Sequence, residues 1–151
     1  MSERRRLPSL GMVRVPDQPP TVDGARAALG GRAATLEGAG AIVRMPSGRL
    51  GVVVFVAPDA QDVWIGEGRF VRVTESPEPA PAAPELEAVA ADARVFARLS
   101  EGDRVRYLDR AGAPHEGTLI EKCRYGALVL AADERVLAVS FRRVFPLDPL
   151  P

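Results

Sequence analysis

The sequence predicts a mainly β protein in which two small barrel-like modules follow one another, with one helix of roughly fifteen residues before the second. Three observations favour this fold class. Short runs rich in β-branched residues alternate with turns, a proline-rich stretch divides the chain nearly in half, and similar segments recur in the same order on both sides of it.

The composition is that of a folded and charge-balanced protein. The 151 residues are 46% hydrophobic and 26% charged, with 20 basic and 20 acidic side chains. A chain of this length can bury one ordinary core or two cores of about 60 residues each. No block of five or more like charges occurs, so we expect no extended polyanion-binding surface.

Residues 1–20 are predicted to form a flexible N-terminal tail, because they hold four prolines and show no hydrophobic period. The residues best suited to a short edge strand there are Met12, Val13 and Val15. The triplet Arg4–Arg6 is interpreted as part of a solvated tail, with contact to an anionic partner as the alternative. No signal-like apolar stretch follows it and no run approaches membrane-spanning length, so we expect a cytoplasmic protein that contacts no membrane.

The first module is predicted over residues 21–75. The alanine-rich segment Ala25–Leu36 favours a helix, although Gly30 and Gly31 weaken it by about 1 kcal/mol each relative to alanine. The strand candidates are Ala41–Met45, Gly51–Ala57, Asp62–Gly66 and Arg69–Thr74. Within the second of them, Val52–Val56 is an unbroken apolar run, which predicts burial on both faces of the sheet.

A proline-rich linker is predicted at 76–84, since four of its nine residues lack an amide hydrogen and cannot pair in a central strand. Residues 85–151 are then predicted to hold the helix and the second module. Pro84 suits the first helical position, and Glu85 and Glu87 complement the helix N-terminus. The strand candidates that follow are Arg104–Leu108, Gly117–Cys123, Ala127–Ala131, Arg135–Ser140 and Val144–Leu147.

The two halves align as divergent copies. The aligned pairs are Leu36–Arg44 with Leu99–Arg106, Gly51–Val54 with Gly117–Ile120, and Val63–Ile65 with Leu128–Leu130. The alignment is ambiguous at the C-terminal end of the copies. If Phe70–Val73 is aligned with Phe141–Val144, which it resembles, the first copy has no equivalent of the strand predicted at 135–139.

The second copy carries a family-like pattern. It reads Gly102-Asp103-Arg104-Val105 at its first strand, Gly117-Thr118-Leu119-Ile120 at its second, and a closing Val144-Phe145-Pro146-Leu147. This pattern resembles the five-stranded SH3-like barrel of the KOW and Tudor type, and the resemblance to two such modules in tandem defines the predicted fold. The resemblance implies a binding module, whose partners in such barrels include nucleic acid, ribosomal or polymerase proteins, peptides and modified side chains.

The residue types available for catalysis are few. His115 and Cys123 are the only histidine and cysteine, and on one extended strand they lie about 26 Å apart, beyond hydrogen-bond reach. His115 is interpreted as a turn residue and Cys123 as the end of a strand. We therefore expect no enzymatic activity, no metal site and no cofactor, and a single cysteine forms no intramolecular disulfide.

Aromatic and arginine side chains that core packing explains least are the predicted partner-binding residues: Arg124, Tyr125, Arg142, Arg143, Tyr107 and Trp64. Tyr125 falls in a predicted turn with little core to enter, and peripheral packing is its alternative. For the pair Arg142 and Arg143, a solvated face is the alternative.

The function that these observations favour is a non-catalytic adaptor or regulatory module that binds another protein. The alternative is a nucleic-acid or transcription- and translation-associated module, as the KOW-like pattern implies. A nucleic-acid-binding module needs a cluster of basic residues to neutralise phosphates. The sequence does not indicate such a cluster, since its formal net charge is zero.

Overall fold

The computed structural model describes residues 4–6, 21–33, 38–66, 69–75, 77–80 and 83–147. It is mainly β, as the sequence predicts, with two antiparallel sheets and two α-helices among these residues. The elements are β1 Arg4–Arg6, α1 Val22–Ala28, β2 Ile42–Arg44, β3 Leu50–Ala57, β4 Ala60–Gly66, β5 Arg69–Val73, β6 Glu78–Pro79, α2 Pro84–Arg98, β7 Arg104–Leu108, β8 Pro114–Lys122, β9 Gly126–Ala131, β10 Val136–Ser140 and β11 Val144–Pro146.

The chain forms two compact units, each assembled from two separate segments. The first unit combines Met1–Met12 with Thr35–Ala97, and the second combines Val13–Ala34 with Arg98–Pro151. From the sequence, α1 is expected with the first module and α2 with the second. In the compact units the arrangement is the reverse, because α1 falls in the second unit and nearly all of α2 in the first.

The first unit contains a six-stranded sheet in the order β1-β5-β4-β3-β2-β6. The predicted burial of the apolar run in β3 is confirmed for Val52–Val54, which are each at most 2% exposed, whereas Phe55 and Val56 are half-buried. Arg72 on β5 donates to both carboxylate oxygens of the buried Asp62 on β4, at 2.9 and 3.2 Å. The charge of this buried carboxylate is thus compensated by its cross-strand partner.

Segments expected to lie outside the first module contribute its edge strands. Arg4–Arg6, predicted to belong to the flexible tail, pair with β5, because that edge offers a row of main-chain donors and acceptors. Glu78–Pro79, within the predicted linker, pairs with β2 at the other edge, where a proline is tolerated. The edge strand suggested at Met12, Val13 and Val15 lies outside the described residues.

Helix α2 confirms the predicted fifteen-residue helix. It begins at Pro84, has Glu85 and Glu87 in its first turn, and buries Val89, Ala90, Ala93 and Phe96. Arg94 on this helix donates through Nη1 to the main-chain oxygen of Gly40 at 3.1 Å. That bond ties α2 to the turn that precedes β2.

The second unit contains a five-stranded sheet in the order β10-β9-β8-β7-β11. A 3-10 turn at Phe141–Arg143 separates β10 from β11 and lets β11 return to pair with β7. Neither sheet closes into a barrel: in the described part of the chain the two edge strands of each sheet do not pair with one another. Two antiparallel sheets are thus confirmed, whereas closure into a barrel would require the edge strands of a sheet to meet.

Helix α1 covers one face of the second sheet. It is shorter than predicted, because the chain takes positive φ values at Gly30 and Gly31 and the helix ends at Ala28. Its apolar side joins one buried cluster with the sheet, consisting of Ala25, Leu29, Cys123, Leu128 and Ala138. Arg26 pairs with Glu121 through two guanidinium nitrogens, and this bonding lowers the pKa of the Glu121 carboxyl.

Tyr125 is buried rather than exposed. It lies at a bend as predicted, and only 3% of it is accessible, so its burial agrees with packing, the alternative given for this residue. The physical reason is the segment after α1: the amide of Tyr125 donates to the oxygen of Leu29 at 3.1 Å, and that of Arg124 donates to Gly31 at 3.2 Å. Because this segment is distant in the sequence, the local sequence of the turn could not predict that Tyr125 is buried.

We predict that Gly30→Ala destabilises the protein more than Gly31→Ala does. Both glycines have positive φ, so each alanine costs roughly 1–2 kcal/mol of backbone strain. Only at Gly30 does the added Cβ also lie 2.5 Å from the Tyr125 ring, whereas at Gly31 it meets nothing within 4 Å. The clash adds roughly 1–3 kcal/mol, measurable by urea unfolding, and equal losses for the two variants would contradict the packing of Tyr125 under this segment.

Candidate functional site

An open cleft of about 920 Å³ lies on the second unit. Residues of β7, β8, β9 and β10 line it, together with the β7–β8 and β9–β10 turns. Among its lining residues are Tyr107, Asp109, His115, Asp133 and Arg135. This volume is in the range of small-ligand and peptide-side-chain pockets.

An aromatic pair forms one wall of the cleft. Tyr107 and His115 lie opposite each other on β7 and β8, and their rings stack with centroids 5.4 Å apart and planes at 24°. His115 therefore lies on a strand, and the prediction of a turn histidine is wrong because β8 begins one residue earlier, at Pro114. Burial, followed by the negative charge of Asp133, raises the pKa of the Tyr107 hydroxyl.

The position of the Tyr107 ring depends on Gly117. A Cβ at Gly117 would lie 3.3 Å from Cε1 of Tyr107, 2.7 Å from the side chain of Val129 and 2.7 Å from the oxygen of Leu130. The absence of a side chain lets β8 approach β9 closely and lets the tyrosine pack beside it. Tyr107 is consequently 5% exposed, yet it still lines the cleft.

Asp109 organises the turn between β7 and β8. Its Oδ1 accepts hydrogen bonds from the amides of Ala111 and Ala113, both at 2.9 Å. Its Oδ2 lies 2.8 Å from Nε2 of His115. The bond to His115, followed by the bond from the amide of Ala113, lowers the pKa of the Asp109 carboxyl.

The charges around the cleft balance. Three arginines and three acidic side chains line it: Arg104, Arg110, Arg135, Asp109, Glu116 and Asp133. Arg135 pairs with Asp133 at 2.6 Å, while Arg104 donates to Oγ1 of Thr118 at 3.0 Å and lies 3.7 Å from Glu116. Leu130, 37% exposed, adds an apolar side chain to this lining.

The hydroxyl side chains that line the cleft with the Asp109 and His115 pair are those of Tyr107 and Thr118. The lining contains no serine, cysteine or lysine. Cys123 is fully buried in the cluster with α1, and burial raises the pKa of its thiol to about 12. No group of three histidine, cysteine or acidic side chains that could hold a metal occurs among the residues that the structure describes.

The predicted partner-binding residues do not form one surface. Tyr107 lies in the cleft, and Arg143 supports it by donating through Nη1 to the oxygen of Asp109 at 2.8 Å. The other four lie elsewhere: Arg124 and Tyr125 beside the segment after α1, Arg142 in the 3-10 turn, and Trp64 on β4 of the first unit.

Sequence reasoning missed His115, Asp109, Asp133 and Arg135 as cleft residues. The sequence Asp109-Arg110-Ala111-Gly112 does indicate a tight turn, because an aspartate three residues before a glycine is typical of one. Folding β7 and β8 about that turn places His115 opposite Tyr107.

Comparison of the chain with protein-family models, curated proteins and solved structures finds no match. Among the described residues, no helix combines the length and the apolar character that crossing a membrane requires.

We predict that His115→Phe raises the pKa of Asp109 towards its ordinary value while keeping an aromatic ring against Tyr107. The amide bonds from Ala111 and Ala113 remain, so part of the lowering persists. The carboxyl carbon shift of Asp109 followed by NMR against pH measures this change. Tyr107→Phe is the matched control and should leave that pKa nearly unchanged.

The free energy of unfolding of His115→Phe should fall less steeply at acidic pH than that of the wild type. Because the folded pKa of Asp109 lies below its unfolded value, its contribution is present above the unfolded pKa and is lost as pH falls through the folded pKa. The wild type should therefore lose more stability than His115→Phe between about pH 5 and about pH 2. Parallel curves would contradict the role of the histidine bond.

Proposed function

We propose that this protein is a non-catalytic adaptor or regulatory module whose second unit binds a segment of another protein in the Tyr107 and His115 cleft. The observation that carries this proposal is the composition of the cleft: an aromatic pair, an exposed leucine and equal numbers of arginine and acidic side chains. Tyrosine and arginine contribute much of the binding energy at protein interfaces. The proposal requires no cofactor.

The balance of charge favours a protein over a nucleic acid as the partner. Binding a phosphate backbone needs several cations that are not neutralised by nearby carboxylates. In this cleft Arg135 pairs with Asp133, and Arg104 lies beside Glu116. A polypeptide with both polar and apolar side chains fits such a lining better than a polyanion does.

We propose further that the two sheets are divergent copies of one SH3-like module. Two features support the duplication. The strand order β5-β4-β3-β2-β6 of the first sheet corresponds to β10-β9-β8-β7-β11 of the second. The register also shifts at equivalent places, between Val53 and Phe55 in one sheet and between Leu119 and Glu121 in the other.

Matching main-chain bonds extend this equivalence. The amide of Gly40 donates to Val53 at 2.7 Å, as that of Gly102 donates to Leu119 at 2.7 Å. In this alignment β5 of the first copy corresponds to β10 of the second. The strand order therefore favours the alignment in which the first copy keeps an equivalent of β10 over the one in which it lacks that strand. The return of the last strand to the first supports an SH3-like origin for the five-stranded arrangement.

On the proposed alignment the described residues of the first copy do not include the aromatic and aspartate side chains that form this cleft. On this alignment Met45 and Arg49 stand where the second copy has Tyr107 and His115, and the amide of Met45 donates to the oxygen of Arg49 at 2.8 Å. The first hairpin therefore turns earlier and lacks the extension in which Asp109 holds His115. We therefore assign partner binding to the second unit.

Site-specific photocrosslinking in the source cells tests this proposal. A benzophenone amino acid replaces Ala111, which lines the cleft, or Ser47, at the corresponding turn of the first copy, as the matched control. We expect protease-sensitive adducts at position 111 and not at 47, and we expect His115→Ala to abolish them. Circular dichroism confirms that each variant is folded.

Other outcomes overturn the proposal. A nuclease-sensitive adduct at position 111 would favour the nucleic-acid function that the KOW-like pattern implies. Equal labelling at both positions, or adducts that persist in His115→Ala, would show that the cleft does not select a partner.

A further inference from the structure

Two arginine side chains of the first unit converge at one end of its sheet. Arg49 lies in the turn between β2 and β3, and Arg69 is the first residue of β5. The position that a Cβ would take at Gly66 lies 3.5 Å from Nη2 of Arg69 and 3.6 Å from Nη2 of Arg49. Nε of Arg69 lies 4.0 Å from the same point. Two guanidiniums from different hairpins therefore meet beside a residue that has no side chain.

Main-chain bonds position the backbone that carries each arginine. The amide of Met45 donates to the oxygen of Arg49 at 2.8 Å, and the amide of Arg49 donates to Oγ of Ser47 at 3.4 Å. Arg69 pairs with Gly66 in the hairpin of β4 and β5. Arg49 is exposed and Arg69 is half-buried, so a ligand can reach the pair from solvent.

The positive charge of this pair is not compensated within the described part of the chain. No acidic side chain there pairs with either guanidinium, and neither guanidinium donates a hydrogen bond. The neighbouring arginines differ, since Arg72 donates to Asp62 and Arg44 donates to the oxygen of Gly48 at 3.2 Å. Because like charges repel each other, two guanidiniums brought together in this way both attract an anion placed between them.

The corresponding place in the second copy has a different charge. On the proposed alignment Arg69 stands where the second copy has Arg135, as the strand registers show. Arg49 stands where that copy has His115. Arg135 is neutralised by Asp133 at 2.6 Å. The two copies thus share the location, and the first has two arginines where the second has a charge-balanced lining.

A phosphate group fits two converging guanidiniums better than a carboxylate does. A phosphate monoester carries a charge of about −1.5 to −2 at neutral pH and has three acceptor oxygens. Two guanidinium forks can share these oxygens, whereas the two oxygens of a carboxylate satisfy a single fork. A nucleic-acid backbone requires several cations along its path, and among the described residues only a pair of guanidiniums converges here.

We propose that Arg49 and Arg69 form an anion site that binds a single phosphate group, either as the free ion or as part of a small molecule. Each guanidinium donates to the phosphate oxygens from a different hairpin. This inference goes beyond the proposed partner binding, since it concerns the first unit and a different ligand. A small ligand produces no protein adduct at position 47, so the crosslinking result and this one are decided separately.

NMR titration of the isotope-labelled full chain, in phosphate-free buffer of low ionic strength, tests the site. Inorganic phosphate and glycerol phosphate are the two probes, and at least one should shift the Nε–Hε signals of Arg49 and Arg69 with a dissociation constant of about 1 mM. Arg49→Gln and Arg69→Gln should each weaken binding at least about 10-fold, because each removes a charge-assisted fork. Tighter binding of glycerol phosphate would identify a phosphate ester as the ligand, and tighter binding of inorganic phosphate the free ion.

Matched variants and a second anion control this titration. Arg106→Gln removes an exposed arginine of the second unit and should bind phosphate as the wild type does. Glu67→Gln removes the acidic residue nearest to Arg69 in sequence and should bind no more weakly than the wild type. Acetate should bind at least about 10-fold more weakly than phosphate, since it has a single charge and two oxygens.

Three results would overturn the proposal. One is the absence of phosphate binding up to about 10 mM, and another is binding that survives both Arg49→Gln and Arg69→Gln in variants that circular dichroism shows to be folded. An equal loss in Arg106→Gln would show a response to net charge alone. A single-stranded oligonucleotide that binds through these arginines at least about 10-fold more tightly than the ester would replace the single phosphate group with a nucleic acid as the ligand.

Discussion

Both sheets depend on the close approach of a glycine in the long central strand to the strand beside it. A Cβ at Gly51 would lie 2.5 Å from Val63 and 2.7 Å from the oxygen of Trp64, and one at Gly117 would meet Val129 and Leu130 at 2.7 Å. No larger residue fits either place without moving the neighbouring backbone. Shortly after each glycine the register shifts, so the long strand bends where it has come closest to its neighbour.

The second sheet depends also on the segment at its N-terminal side. Besides the apolar contacts of α1, the amide of Ala33 donates to the oxygen of Lys122 at 3.0 Å. The Lys122 ammonium in turn donates to the oxygen of Leu99 at 2.9 Å, and burial lowers the pKa of this lysine. The end of β8 is therefore held by a main-chain bond and a side-chain bond to residues that lie before and after Thr35–Ala97 in sequence.

Local patterns in the sequence predicted the elements well and their partners poorly. Helix α2 was predictable because Pro84, Glu85 and the apolar spacing that ends at Phe96 are all local signals. The central strands were predictable for the same reason, whereas the edge strands β1 and β6 lie in segments predicted to be tail and linker. The burial of Tyr125 was not, since it depends on Leu29 and Gly30, almost a hundred residues away. Of the cleft, only Tyr107 was predicted, because the pairing of its neighbour His115 depends on the register of a hairpin.

The interleaved composition of the two units bears on the order in which the chain folds. The segment Val13–Ala34 belongs with Arg98–Pro151, and nearly the whole first unit is synthesised between them. A ribosome therefore releases α1 long before the strands that hold Leu128 and Ala138 exist, and a helix of seven residues does not persist alone. The first unit can form during translation, whereas the second must close around an early segment only after its last strands emerge. Cutting the chain at the proline-rich stretch would accordingly separate α1 from the sheet on which it packs and would not release two intact halves.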